Sequence, residues 1–224
     1  MLKSIALKNA KKNKPPIWDI EDLVQYLSSY SVDTGNIYQV SRHTAILLLL
    51  CSGRRIHDLT LLRVDPEHCV KTQNSITFWP EFGPKTDNSE HRQSGWKLVC
   101  NNNNSQLDPI FWINTMISLL SCRREAVNSF KLFMTIRGAP KPASRTVISG
   151  WIKHLFKDAR IQFSPGSVRS AVASKNWLNY PLDEVLARGN WRSSNTFETF
   201  YRREIRSSNE TGNNMLSRLF TPVH

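Results

Sequence analysis

Residues 164–201 read SPGSVRSAVASKNWLNYPLDEVLARGNWRSSNTFETFY, and this stretch decides how the rest of the chain is read. It sets one arginine, Arg169, about thirty positions ahead of one tyrosine, Tyr201, with a Gly189-Asn190-Trp191 turn between them. Its apolar residues predict three short helices. Leu182, Val185 and Leu186 mark one helical face, and Phe197, Phe200 and Tyr201 mark another at i, i+3, i+4 spacing. Asn195 and Glu198, three apart, read as the capped head of the last helix, which places Tyr201 close behind a helix start.

Upstream, the chain reads as scaffold that supplies further charged groups. Ile20, Leu23, Val24 and Leu27 form a helical face with Asp19 as N-cap, and residues 40–51 predict a helix apolar on all sides, central to the core. Ser52-Gly53 breaks that helix. A second helix is expected over 54–63 with Ile56, Leu59 and Leu62 inward, so Arg55 stands at a helix start beside free N–H groups. Its guanidinium there either grips a phosphate, held by Asp58, or is a surface arginine with a local acidic partner. Residues 75–79 and 96–100 alternate as strands and bracket a polar loop containing Gly83-Pro84 and Asp87-Asn88, which predicts a hairpin with a long connection. Lys85 sits in that loop. It can deliver a proton into a cleft, or simply be solvated.

Helices are expected again over 110–120 and 149–161, the latter burying Trp151, Ile152, Leu155, Phe156 and Ala159 and carrying a structural His154. Residues 130–135 read as a short strand or buried segment. No internal repeat is visible. Residues 1–16, with Lys8, Lys11, Lys12, Lys14 and Pro15-Pro16, read as a basic mobile arm or linker.

The balance of 30 basic against 18 acidic residues, a formal charge of +12 over 224 residues, points to a polyanionic partner. Nucleic acid fits better than membrane, because the basic residues are spread through folded segments and the longest apolar run is far too short to span a bilayer. Cys51, Cys69, Cys100 and Cys122 form neither a zinc spacing nor a disulfide framework and read as reduced core residues. No metal constellation, P-loop, dinucleotide fingerprint or nucleophile elbow is present, so the commonest enzyme classes are excluded. What remains is two arginines, a lysine, an indole and a tyrosine in a basic helical chain.

Taken in order, these residues resemble the catalytic domain of tyrosine recombinases, the phage-integrase superfamily. Ser52-Gly53-Arg54-Arg55-Ile56-His57-Asp58-Leu59 resembles the first-arginine box, Gly83-Pro84-Lys85-Thr86 the hairpin lysine, and Ser167-Val168-Arg169-Ser170 the second-arginine box. Gly189-Asn190-Trp191 fits the position held by His or Trp. Residues 196–201 resemble the nucleophile helix, worded most like the recombinases of DIRS-type retrotransposons. The resemblance covers roughly residues 17–206. One position departs, for Gly166 stands where the family's second box has a histidine.

The resemblance implies an α+β, mainly helical fold with a small antiparallel hairpin or sheet. It divides the chain into an arm (1–16), a catalytic domain (17–206) and a C-terminal tail (207–224). In that tail Met215, Leu216, Leu219 and Phe220 are spaced as a short amphipathic helix, which either packs on a neighbouring subunit or folds back. The implied activity is DNA cleavage and rejoining through a 3′-phosphotyrosine, without metal, ATP or other cofactor. The implied catalytic residues are Arg55, Lys85, Arg169, Trp191 and Tyr201, supported by Asp58. Arg54, Lys97, Lys175, Arg188 and Arg192 are expected to contact DNA. Double-stranded DNA, self-association into dimers or tetramers, no membrane, and a nuclear location (cytoplasmic or nucleoid outside eukaryotes) complete the expectation. The competing reading is a domesticated DNA-binding protein that keeps the fold but, lacking the histidine, has weakened or lost the chemistry.

Overall fold

In the computed structural model, residues 14–80 and 95–206 are described. The architecture grows outward from one helix. Asn36 caps it, its side chain accepting from the N–H groups of Tyr38 and Gln39, and the helix runs over Ile37–Ser52 (α2). Every residue from Ala45 to Leu50 is at most 1% exposed, so neighbours must cover α2 on all sides. The preceding helix, Ile20–Ser29 (α1), is capped by Asp19 as expected and buries Ile20, Leu23, Val24 and Leu27. A four-residue helix, Ile56–Leu59 (α3), follows the Gly53 break. It is shorter than the expected 54–63, yet Ile56, Leu59 and Leu62 still turn inward.

The expected hairpin is present with a third strand beside it. Strands Cys69–Lys71 (β2), Ser75–Phe78 (β3) and Trp96–Val99 (β4) form an antiparallel sheet in the order β2-β3-β4, with Ser75 opposite Val99 and Phe78 opposite Trp96. Its inner face carries Ile76, Phe78, Trp96 and Leu98 into the core, while Lys97 points out. Helices Pro109–Leu119 (α4), capped by Asp108, and Ser121–Glu125 (α5) come next. Residues 130–135 make only isolated bridges, Arg63 with Lys131 and Met134 with Pro142, and bury Leu132, Phe133 and Met134.

Ser144, whose hydroxyl accepts from the Val147 N–H, starts the helix Arg145–Asp158 (α6) four residues earlier than the apolar spacing implied. His154 on that helix is tied to the Tyr38 hydroxyl at 2.7 Å, a structural role. The last three helices, Val168–Asn179 (α7), Leu182–Gly189 (α8) and Ser194–Phe200 (α9), match the reading of the 164–201 stretch. Phe200 departs from it, lying 62% exposed, while Val185 and Phe197 are buried in a satellite cluster with Trp191 and Ala173. A short strand, Ile17–Trp18 (β1), pairs in parallel with Ile205–Arg206 (β5) and closes the fold. The cysteines are all free, but Cys122 is exposed rather than in the core. Among the described residues no helix is long and apolar enough to cross a membrane.

Candidate active site

Gly53 ends α2 in the left-handed conformation (φ +62), which favours glycine, and an added Cβ would meet Val172 Cγ1 at 3.2 Å. The turn delivers Arg55 to the N-cap of α3 in an extended conformation, half-buried. Asp58 holds this turn by its backbone. Its Oδ2 accepts from the Arg55 N–H at 3.0 Å, where the sequence suggested a grip on the guanidinium.

Arg54 was expected at the DNA surface, but the fold buries it to 2% exposure. Its Nε donates to the Arg188 carbonyl at 3.2 Å, and its guanidinium lies 5.0 Å from the centre of the Trp96 ring. A planar cation that can stack and donate at once serves well as such a bracket between sheet and helix.

Arg169, one residue into α7, is 4% exposed. Its Nη1 donates to the carbonyls of Gly53 and Gly189, each at 2.8 Å, so one guanidinium joins the first-arginine turn to the end of α8. Two aromatic rings enclose it, that of Trp191 at 4.0 Å and that of Tyr201 at 4.8 Å from Cζ. Trp191 in turn meets Tyr201 and Phe197 edge-on, both at 5.2 Å. The approach of Trp191 depends on Gly189, because a Cβ there would fall 1.7 Å from the indole. Burial first, and then the neighbouring Arg55 charge, bring the Arg169 guanidinium down to about 10, against partial support from Tyr201 and Asp58.

Three donors in this cluster, Arg169 Nε and Nη2 and Trp191 Nε1, are buried with no acceptor in good hydrogen-bond geometry among the described residues, the Tyr201 hydroxyl approaching the Arg169 guanidinium without completing such a bond. Each buried donor left without a full hydrogen bond costs about 1–3 kcal/mol, so a fold that keeps three together on Arg169 and Trp191, beside Arg55, is shaped for an acceptor with several oxygens.

Tyr201 is half-buried and is the C-cap residue of α9, its N–H on the Phe197 carbonyl at 2.8 Å. The expected position near a helix start is therefore reversed. Ser193, not Asn195, caps α9, its hydroxyl accepting from the Thr196 N–H. Beyond the helix, Ser174 on α7 fixes the tyrosine's backbone, its hydroxyl donating to the Tyr201 carbonyl at 3.2 Å and accepting from the Arg203 N–H at 2.9 Å. Sequence reasoning passed over Ser174, and no local signal marks it. Gly189 was legible only as part of a turn.

Arg55, Arg169, Trp191 and Tyr201 thus come together. Gly166 lies just upstream, exposed in the 3₁₀ turn Pro165–Ser167, with open space where a side chain would go. Lys85 lies outside the described residues, as do residues 1–13 and the tail with Met215, Leu216, Leu219 and Phe220. Of the expected DNA contacts, Lys97 and Arg192 are exposed, and Arg188 is stacked over Tyr180 and 3.9 Å from Glu184. Lys175 points elsewhere. It sits between Asp19 at 3.2 Å and Glu21 at 3.3 Å, tying α7 to the start of α1, because carboxylates distant in sequence reach it. The fold also gathers Asp65, Glu67 and His68, with candidate ligand atoms within 4.8 Å, but the two Asp65 oxygens are engaged by Arg63 and His68.

No family model matches the chain, and no curated protein matches it. Solved structures do. The XerH site-specific recombinase bound to difH substrate, in a pre-cleavage complex, superposes with a TM-score of 0.57 at 13% identity over 84% of this chain and 50% of that one. The same recombinase on palindromic difH, post-cleavage, gives 0.58 at 14% identity over 83% and 49%. The XerA recombinase gives 0.54 at 16% identity over 96% and 67%. The chain spans about half the length of the two XerH structures. At these identities the likeness is one of fold, and the fold is that of the tyrosine recombinase catalytic domain.

Proposed function

We propose that this chain, with its tyrosine recombinase catalytic-domain fold, is a DNA strand transferase that cleaves and rejoins DNA through a 3′-phosphotyrosine. The observation that carries the reading is the set of three unpaired donors, on Arg169 and Trp191, packed against the ring of Tyr201. In the proposed reaction the Tyr201 hydroxyl oxygen attacks the phosphorus and gives its proton to a solvent water, since the bare Gly166 supplies no imidazole to take it. The bond from phosphorus to the 5′-oxygen breaks, and that oxygen leaves as a hydroxyl after taking a proton from Lys85. The reverse attack by a 5′-hydroxyl reseals the strand and frees the tyrosine, so the phosphodiester bond energy is conserved throughout.

Negative charge grows on the non-bridging oxygens during attack. Arg169 and Arg55 stabilise it by charge-assisted hydrogen bonds, and Trp191 contributes its indole N–H. Because these donors are held rigidly before substrate arrives, little reorganisation is needed at the moment of reaction. The partner is double-stranded DNA, drawn in by the +12 charge and gripped at backbone phosphates by Lys97, Arg188 and Arg192. Self-association on paired sites, a nuclear location and kinship with DIRS-type elements belong to the same proposal.

A pool of nicked duplexes with randomised flanks, incubated with the protein and run on a denaturing gel, tests this whatever the target sequence is. The expected result is a protease-sensitive covalent adduct that Tyr201→Phe abolishes while leaving DNA affinity unchanged. The exposed Gly166, bare where the family carries an imidazole, favours one second reading, a DNA-binding descendant without chemistry. Salt-sensitive binding by wild type and Tyr201→Phe alike, with no adduct from either, would establish that reading and overturn the first.

A further inference from the structure

The segment just before β1 reaches the tyrosine from the far end of the sequence. Lys14 is half-buried, and its Nζ donates to the carbonyl of Glu198 at 2.6 Å and to that of Arg202 at 3.0 Å. These carbonyls flank Tyr201, three residues before it and one after. The Glu198 carbonyl belongs to the last turn of α9, where carbonyls lack partners within the helix and a cation is favoured.

Pro15 and Pro16 connect this contact to β1. Proline fixes its own φ and drives the residue before it to an extended conformation, so the reach of Lys14 is largely set before it docks. The next residues anchor the strap to the other half of the site. The Ile17 N–H donates to the Glu204 carbonyl at 2.8 Å, and β1 pairs with β5. Trp18 Nε1 donates to the Ser167 hydroxyl at 2.8 Å, two residues ahead of Arg169. Asp19 holds Lys175 on α7. One short strap therefore touches both the turn that presents Arg169 and the backbone that presents Tyr201.

We infer that Lys14 is a positioning residue for Tyr201, fixing the end of α9 relative to the arginine platform, and is not a phosphate contact. The inference rests on the reading of Tyr201 as nucleophile. Its mechanism is the sensitivity of in-line attack to placement, since a displacement of about 1 Å can cost about 100-fold in rate.

The test compares wild type, Lys14→Met and Lys14→Arg in three measurements. The first is the rate of adduct formation on the nicked pool, the second is DNA affinity as a function of salt, and the third is amide hydrogen exchange of residues 197–206 without DNA. Lys14→Met is expected to slow the adduct about 10- to 100-fold. It should leave affinity and salt slope unchanged and speed exchange across 197–206. Lys14→Arg, which keeps a donor for both carbonyls, is expected to recover most of the rate.

A salt slope shallower by about 0.9, with adduct loss in proportion to lost affinity, would make Lys14 a phosphate contact and overturn the inference. Unchanged exchange across 197–206 would overturn it as well. If wild type forms no adduct, it is the nucleophile reading that fails, and the exchange measurement still decides whether Lys14 holds this segment.

Discussion

Replacing Gly189 by alanine sets two forces of known sign against each other. Gly189 is the last residue of α8, and glycine in a helix is worse than alanine by about 0.5–1 kcal/mol, so propensity alone predicts stabilisation. Packing predicts the opposite. The new Cβ would lie 1.7, 2.2 and 2.4 Å from three atoms of the six-membered ring of Trp191, so the indole must move. It has little room, being 7% exposed, wedged against Phe197 and Tyr201 and stacked on Arg169.

Overpacking of this kind costs about 1–3 kcal/mol, and losing a desolvated cation–π contact adds up to about 2 kcal/mol. Packing wins, and Gly189→Ala is expected to lose about 1–3 kcal/mol in urea unfolding, with a lower midpoint at unchanged slope. In a Trp191→Leu background, where none of the three clashing atoms exists, the same substitution should instead gain about 0.5–1 kcal/mol. The resulting coupling of about 1.5–4 kcal/mol stands well above the ~0.5 kcal/mol scatter of independent sites. Stabilisation of wild type by Gly189→Ala, or coupling within that scatter, would refute the argument that Gly189 exists to admit the indole.

Two further expectations follow from the same structure. Gly166→His enters open space on an exposed turn, so stability should shift by no more than about 0.5 kcal/mol, while adduct formation should rise by up to about 100-fold. An unchanged rate in a folded variant would show that a missing imidazole is not what limits the chemistry. His43, 1% exposed with Nε2 on the Gln106 carbonyl at 2.7 Å, is pushed down to about 4, mainly by burial. Its unfolded value is about 6.5, so the stability it contributes is complete above that pH and is lost, by about 3 kcal/mol in all, as pH falls through 4. His43→Gln should flatten this part of the stability profile relative to wild type, and an identical profile would reject the assignment.

What the sequence disclosed were features with local cause. The all-apolar run before Gly53, the Asp19 cap and the alternation around Ile76 and Phe78 each act within a few residues, and each was readable. The third strand escaped because Cys69–Lys71 is only three residues long and buries one of them. Asn195 was read as the cap where Ser193 serves, and nothing local marked the end of α9 at Phe200, so Tyr201 was placed near the helix start instead of at its end.

Arg54 and Lys175 show a different limit. Each carries a charge that ordinarily belongs at the surface, and each is drawn inward by partners more than a hundred residues away, the Arg188 carbonyl for one and Asp19 for the other. Periodicity carries no trace of such contacts. The order of the boxes along the chain named Arg55, Arg169, Trp191 and Tyr201, which the fold gathers, but only the fold showed which cations face outward and which brace the structure.

The pairing of β1 with β5 also imposes an order of assembly during synthesis. Ile17 is made 188 residues ahead of its partner Ile205. Until that partner is made, β1 has no strand to pair with, and the backbone beyond Tyr201 is not tied to it. A contact of such long range forms late and slowly. A nascent or prematurely terminated chain can thus carry both arginines and the basic surface while the backbone after Tyr201 still lacks this anchor. Under the proposed function, the ability to cut would then arrive last, with the final strand of the described fold.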